Sequence, residues 1–352
     1  MKIVLYFIFS FVFLISSLCL FPNTNLKVEA AKNVTIVIDP GHGGEGDKNI
    51  GAQYNGLTEK DLTFKVATAL KDELEKYDNV TVYLTRTTDK LVTLEERAEY
   101  AKTVGADFLY SIHFNASAEH NFYGSEVWTS AFGNNYVKGC QFGQIVGDEW
   151  NALGLYQKGT KSKIGSSGKD YYGIIRHSVA RGIPCVILEH AYLDHGYDVP
   201  LIKTGDFLTR LGVADATAIA KYFKLKSSST GADYSGFATP SVKKPSGAVY
   251  QDQTEPETCD IKVLSYDTAS GNVLVEMTAK DSQSPVIYFC YSYDGGNSFS
   301  ILQMWDRTKT TQSFNVKVPS GTVNPVIVCR AYNNFEKCAQ SAAETVNATF
   351  NY

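Results

Sequence analysis

The sequence has no surplus of basic charge. Its 33 Lys and Arg stand against 37 Asp and Glu, for a formal net charge of −4 at pH 7. A nucleic-acid surface needs a basic patch or stripe, so no nucleic-acid partner is expected. None of the seven cysteines is spaced CxxC, which excludes a zinc ribbon or a dithiol redox motif of that kind. No internal repeat is visible. One long uncharged, mainly apolar run stands out, Ile3 to Phe21. What is there instead is a globular composition: 44% hydrophobic and 20% charged residues, with 22 Tyr and 19 Phe. A chain of 352 residues with that much apolar surface is expected to form two folded units.

The apolar run follows Lys2 and leads into Val28-Glu29-Ala30-Ala31. A basic end, an apolar middle and a small-residue site are the order of a secretory signal. Residues 1–31 are therefore expected to direct export and be cleaved after Ala30 or Ala31. A membrane location follows only if the run stays uncleaved as an anchor. Export permits disulfides. Four cysteines, Cys259, Cys290, Cys329 and Cys338, fall in the last hundred residues, and the sequence does not set their pairing. Cys140 and Cys185 are expected as free thiols.

From residue 32 to 225 the pattern alternates strand and helix, which argues an α/β fold with a mostly parallel sheet. Strands are expected at Val34–Asp39, Val80–Thr85, Asp107–His113, Gly124–Ser130, Tyr171–Arg176 and Ile183–Glu189. Helices are expected at Asp61–Lys76, after Thr93, at Tyr136–Leu153 and at Asp206–Phe223. Thr93 and Glu96 have the spacing of a capping box. The Gly-, Ser- and Lys-rich stretch from Gly154 to Asp170 reads as a loop. Residues 226–250 read as a linker. Residues 251–352 carry six short β-type runs, among them Phe299–Met304, with turn signals between them, and read as an Ig-like β-sandwich. That domain shows no catalytic constellation, and its place behind a linker makes a wall polymer or a protein its expected partner.

Three ligand-type residues fall where strands end or helices begin. His42 sits in Asp39-Pro-Gly-His-Gly-Gly44, where glycines permit a sharp turn. Glu59 opens the first helix, capped by Thr58 or the neighbouring loop, and His113 closes a buried strand. In an α/β sheet the carboxyl ends of strands face the functional crevice. Two His and one Glu meeting there match a catalytic zinc site with one open position. Glu189 ends the apolar run Ile183–Glu189, and an acid there needs a reason, since a buried unpaired charge is costly. Opposite a metal it would serve as general base and then acid. Each residue alone has an ordinary structural reading, with Glu189 pairing Arg176 or Arg181. His120, His177 and His190 are plausible ligands by type. In an extended strand His190 points away from Glu189. Spacing alone leaves the ligand set open.

The segments Asp39-Pro-Gly-His-Gly-Gly44, Gly51-Ala52, Glu59-Lys-Asp-Leu62, Leu84-Thr-Arg86, Leu94-Glu-Glu-Arg97-Ala98, Ser111-Ile-His-Phe-Asn-Ala116, Gly124 and Pro184-Cys-Val-Ile-Leu-Glu189 occur in this order. Together they resemble the zinc-dependent N-acetylmuramoyl-L-alanine amidases of bacterial cell-wall lysis, over about Val34 to Leu225. The resemblance implies zinc on His42, Glu59 and His113, with Glu189 as catalytic acid/base. It also implies a six-stranded sheet flanked by helices and a peptidoglycan substrate. Two departures are Cys185, where a small alanine is usual, and His190-Ala-Tyr-Leu-Asp-His195 after Glu189. A zinc peptidase acting on stem peptides and a non-catalytic wall-binding protein are the competing readings.

Overall fold

The computed structural model describes residues 33–46 and 49–347. The apolar N-terminal segment, where export and cleavage are expected, lies outside the described residues. Among those described, no helix is long and apolar enough to cross a membrane.

The β-branched run after Asn33 forms β1 (Val34–Pro40). A two-residue hairpin, β2 (Gln53–Tyr54) and β3 (Leu57–Thr58), then leads into α1 (Glu59–Leu74). Next come β4 (Val80–Leu84), α2 (Leu94–Thr103), β5 (Phe108–Asn115), β6 (Ser125–Thr129) and α3 (Gly133–Ala152). The unit ends with β7 (Gln157–Ser162), α4 (Gly173–Ala180), β8 (Cys185–Tyr192), α5 (Asp198–Ile202) and α6 (Phe207–Phe223). The six-stranded sheet has the order β4-β1-β5-β8-β6-β7, parallel throughout except where β6 runs against β8. The resemblance implied this sheet, and the fold has it.

Both faces of the central strands are covered, so their side chains divide between two cores. Ile36, Ile38, Tyr110, Ile112, Val186 and Leu188 pack with α1, α3 and α6. Val37, Leu109 and Ile187, which alternate with them, pack with α2 and α4. The capping box at Thr93 is formed: its hydroxyl accepts from the Glu96 amide, and the Glu96 carboxylate accepts from the Thr93 amide. Thr58 stands at the cap position of α1 without a side-chain cap bond.

Within the α/β unit two sequence expectations are corrected. The stretch read as a loop contains β7, which pairs with β6. Lys158 and Lys161 on β7 are buried and ion-paired to Glu126 on β6, and such tertiary pairing overrides low strand propensity. Tyr171–Arg176, read as a strand, leads into α4. A short apolar run does not distinguish the two, and here Ile174, Ile175 and Ser178 bury one helical face.

Beyond residue 226 two antiparallel sheets pack together. One holds β9 (Thr258–Asp267), β10 (Asn272–Lys280) and β13 (Thr311–Lys317) in the order β13-β10-β9. The other holds β11 (Val286–Ser292), β12 (Gln303–Met304), β14 (Val326–Asn333) and β15 (Cys338–Gln340), with β16 (Glu344–Thr345) on β14. Val275, Met277, Phe289, Trp305 and Ile327 fill the space between them. Of the run Phe299–Met304, only the last two residues form a strand. The cysteines among the described residues are all free thiols.

The sandwich is packed on the α/β layers. Phe122, Tyr123 and Tyr192 share a buried aromatic cluster with Ile287, Tyr288 and Tyr332, and the Tyr156 hydroxyl donates to the Ile287 carbonyl at 2.7 Å. The segment read as a linker is itself held: the Val249 amide donates to the Ala131 carbonyl, and the Ser162 hydroxyl donates to the Val249 carbonyl.

The helices α1 and α6 approach closely at a glycine. A Cβ on Gly212 of α6 would stand 2.6 Å from the Val66 carbonyl oxygen and 2.7 Å from the Leu70 amide nitrogen of α1. Gly212→Ala is therefore expected to destabilise the fold by about 1–3 kcal/mol through overpacking. Thermal or denaturant unfolding checks this, and an unchanged midpoint would mean that α1 and α6 separate freely.

Candidate metal centre

The first strand delivers His42 on a loop held from below by two buried arginines. The Arg97 guanidinium donates to the carbonyls of Pro40 (2.8 Å) and His42 (2.7 Å), and it pairs with buried Asp39. Arg86 donates to the carbonyls of Pro40 and Gly41 at 3.0 and 3.2 Å. Burial alone would push the Asp39 carboxyl up; the Arg97 charge and the hydroxyls of Thr85 and Ser111 outweigh it and hold the group below its usual range. So tied, the backbone turns through His42 at φ 61°, a left-handed conformation that non-glycine residues adopt only when their surroundings impose it.

Glu59, the first residue of α1, reaches between two imidazoles. Its Oε2 lies 3.2 Å from His42 Nε2 and its Oε1 lies 3.0 Å from His113 Nδ1. The remaining capacity of each oxygen is met by a backbone donor, Ala52 N–H at 2.8 Å and Phe114 N–H at 3.1 Å. Burial opposes ionisation of Glu59, and the hydrogen bonds from His113 and His42 reverse that, holding it well below the ordinary carboxylate range. One ligand atom from each of the three residues lies within 4.8 Å of the others. The two imidazoles keep 26% and 20% of their side-chain surface exposed, while Glu59 keeps 5%. The trio is thus open on the histidine side and closed behind.

Two glycines make that convergence possible. A Cβ at Gly51 would fall 2.4 Å from Glu59 Oε2, and one at Gly41 would fall 2.4 Å from the His113 ring. The donor set is two neutral-capable nitrogens and one carboxylate oxygen around a common point, which fits a zinc ion with a free coordination position.

Glu189 is the next residue along the sheet. It pairs in register with His113 on one side and with Glu126 on the other, so the three side chains share a face. Glu126 is buried, and the Lys158 and Lys161 ammoniums overcome the cost of burial and hold its carboxyl down at about 2. Among the described residues Glu189 has no such partner. Arg176 is spent on the carbonyls of Asp170 and Tyr171, and Arg181 on Glu95 and Glu99. The Glu189 residue lines a cavity of about 550 Å³, yet its Oε2 is enclosed and accepts no hydrogen bond among the described residues. Burial first, and then the like charges of Glu59 and Glu126, raise its carboxyl well above the ordinary range.

The other histidines lie elsewhere. His190 is fully buried on the opposite face, between the His113 carbonyl and Asp215. His120 pairs with Asp194, and His177 sits on α4. Sequence reasoning passed over Glu126, Lys158 and Lys161. The only trace they leave is an acid and two lysines in otherwise unremarked segments.

An α/β layer fold with a His, Glu, His cluster that could hold a metal ion, and an acid without an ion-pair partner beside it, has the parts a metal-assisted hydrolase would need. Residues 36–221 match the family model of N-acetylmuramoyl-L-alanine amidases, and the chain belongs to that family. It is 30% identical over 202 residues to the sporulation-specific N-acetylmuramoyl-L-alanine amidase of Bacillus subtilis, covering 57% of this chain and 72% of the relative. It is likewise 30% identical to the N-acetylmuramoyl-L-alanine amidase CwlM of Bacillus licheniformis, over 54% of this chain and 70% of the relative. Among solved structures, the catalytic domain of CwlV, an N-acetylmuramoyl-L-alanine amidase from Bacillus (Paenibacillus) polymyxa, aligns at 26% identity. That alignment has a TM-score of 0.47 and covers 55% of this chain and 99% of that domain.

Removing one partner of the buried Asp39–Arg97 pair strands the other. Arg97→Ala is expected to cost about 3–5 kcal/mol of stability, with Arg97→Lys recovering part of it. Denaturant titration measures both, and a wild-type midpoint for Arg97→Ala would show that the His42 loop supports itself.

Proposed function

We propose that this chain is a zinc-dependent hydrolase that cleaves the amide between the lactyl group of N-acetylmuramic acid and L-alanine of the peptidoglycan stem peptide. The observation that carries the reading is the convergence of His42, Glu59 and His113, with Glu189 beside them in register. Family membership supports the same bond. The hydrolytic unit is residues 32–225, and residues 251–352, behind the 226–250 segment, form the second domain. Export rests on the pattern of residues 1–31, and wall attachment by the second domain rests on its position alone.

In this reading His42, Glu59 and His113 hold the zinc, which when bound supplies Lewis-acid activation of water and of the scissile carbonyl. Glu59 contributes the negative charge of the donor set, and the Ala52 and Phe114 amides orient it. Glu189 takes a proton from the attacking water at its carboxylate and returns it to the departing alanine nitrogen. A carboxyl whose protonated form is favoured by its surroundings is suited to that return, because the amine must leave with a proton. The glycan would leave carrying the lactyl carboxylate.

Glu189→Ala is expected to keep stoichiometric zinc while losing about 100-fold or more in turnover. His42→Ala and His113→Ala should instead lose zinc by elemental analysis. Mass spectrometry of digested peptidoglycan should find intact stem peptides with a free L-alanine amine. Cuts between amino acids would replace this reading with a peptidase, and near-normal turnover by Glu189→Ala would remove that residue from the mechanism.

A further inference from the structure

The cavity that exposes Glu189 is built by both domains. Asn115, Glu189 and Tyr172 line it from the α/β layers, and Gln251, Phe335 and Lys337 line it from the sandwich side. The last two lie in the turn between β14 and β15, which is fastened at every position. Asn333 is fully buried, and its Oδ1 accepts from the Phe335 and Lys337 amides, both at 3.0 Å. The Asn334 carbonyl accepts from Lys161 Nζ at 2.8 Å. The Phe335 ring lies 5.5 Å from the same ammonium and 6.4 Å from the Trp128 ring. Glu336, in the left-handed region at φ 65°, pairs with buried Lys158 and accepts from the Tyr192 hydroxyl at 2.9 Å. Such a turn is a fixed wall: residues of both domains over-determine a backbone conformation that costs energy on its own.

Charge around the cavity sorts into matched and unmatched groups. Lys158 and Lys161 are balanced by Glu126 and Glu336. Both Asp252 oxygens are occupied by Ser284, Thr254 and Asn333, and Glu119 is an exposed residue. Lys163 and Lys337 remain. Each borders the cavity, and the ion pairs among the described residues include neither. Lys163 is held with its ammonium 4.0 Å from the centre of the Tyr171 ring. About 550 Å³ lies within the ordinary range of ligand-binding clefts.

We propose that the β14–β15 turn of the sandwich is a wall of the active-site cleft, and that Lys337, with Lys163, binds a carboxylate of an acidic peptide limb of the substrate. This rests on the amidase reading, which supplies a substrate with a peptide attached at the scissile amide. Lys337 is then a specificity residue contributed by the second domain, and Glu336 is the positioning residue that fastens its turn.

The test uses the full chain and two probes: a soluble muropeptide with free peptide carboxylates, and the same muropeptide with those carboxylates amidated. Lys337→Glu is expected to raise KM about tenfold on the first probe with little change in kcat, to leave the second unchanged, and to be rescued by Lys337→Arg. Calorimetric binding of the first probe to chelator-treated protein should weaken by the same factor. Equal KM and equal binding for wild type and Lys337→Glu would overturn the proposal. An equal loss on both probes would do so too, since it would mark a structural effect. A wild type that binds the probe through Lys337 yet releases no stem peptide would sink the amidase reading and leave the carboxylate site standing.

Discussion

Three carboxylates lie close together at the sheet's working edge, and the side-chain partners available there are shared among them unequally. Glu59 is flanked by two imidazoles and two backbone amides, and Glu126 by two lysines. Glu189, between His113 and Glu126 in the strand order, has neither among the described residues. Burying a carboxylate without a partner is expensive, so the unequal sharing is the constraint that the site depends on. It drives the groups apart in proton affinity: two are held ionised and one is pushed toward its acid form. In the proposed reading, that separation would let one acid ligate and one move a proton while a third anchors lysines, though all three are the same residue type.

The separation survives only if the strands cannot slip. A shift of one residue between β5 and β8 would turn Glu189 to the opposite face, where His190 already fills its place between Asp215 and the His113 carbonyl. The buried histidine thus pins the register that sets Glu189 beside His113. At the other edge of the trio, Arg97 and Arg86 bind consecutive carbonyls of residues 40–42. Hydrogen bonds to charged donors of this kind are stronger than ordinary backbone bonds, which explains how His42 is kept at a positive φ.

Much of this was legible from residue order. Apolar runs at Val34 and Ile183 forecast buried strands, and the acid ending the second run drew attention because no burial rule excuses it. The capping box at Thr93 was readable from two residues. The candidate ligand set was not readable from spacing, because His42, Glu59 and His113 are separated by whole strands and helices; the resemblance of ordered motifs implied it. What stayed hidden were elements whose stability comes from partners distant in sequence. β7 carries lysines and glycine where a strand normally carries branched residues, and it exists because Glu126 on β6 needs cations. The helix α4 was equally hidden, since Gly173-Ile-Ile-Arg176 has the same local pattern in either state.

The same lysines explain why the second domain sits where it does. Once Glu126 has drawn Lys158 and Lys161 into the protein, two ammoniums face one carboxylate, and a second acid is required nearby. Glu336 supplies it from the sandwich, while the Asn334 carbonyl accepts a hydrogen bond from Lys161. The aromatic cluster of Tyr123, Tyr156 and Tyr288 supplies apolar contact area at the interface, but such contact is tolerant of orientation. The Tyr156 hydroxyl adds one directional bond, to the Ile287 carbonyl, and the ionic part of the joint is made two strands away from Glu189. Electrostatic balance in the hydrolytic unit and placement of the sandwich are therefore one requirement, and the wall beside the unpaired acid follows from it.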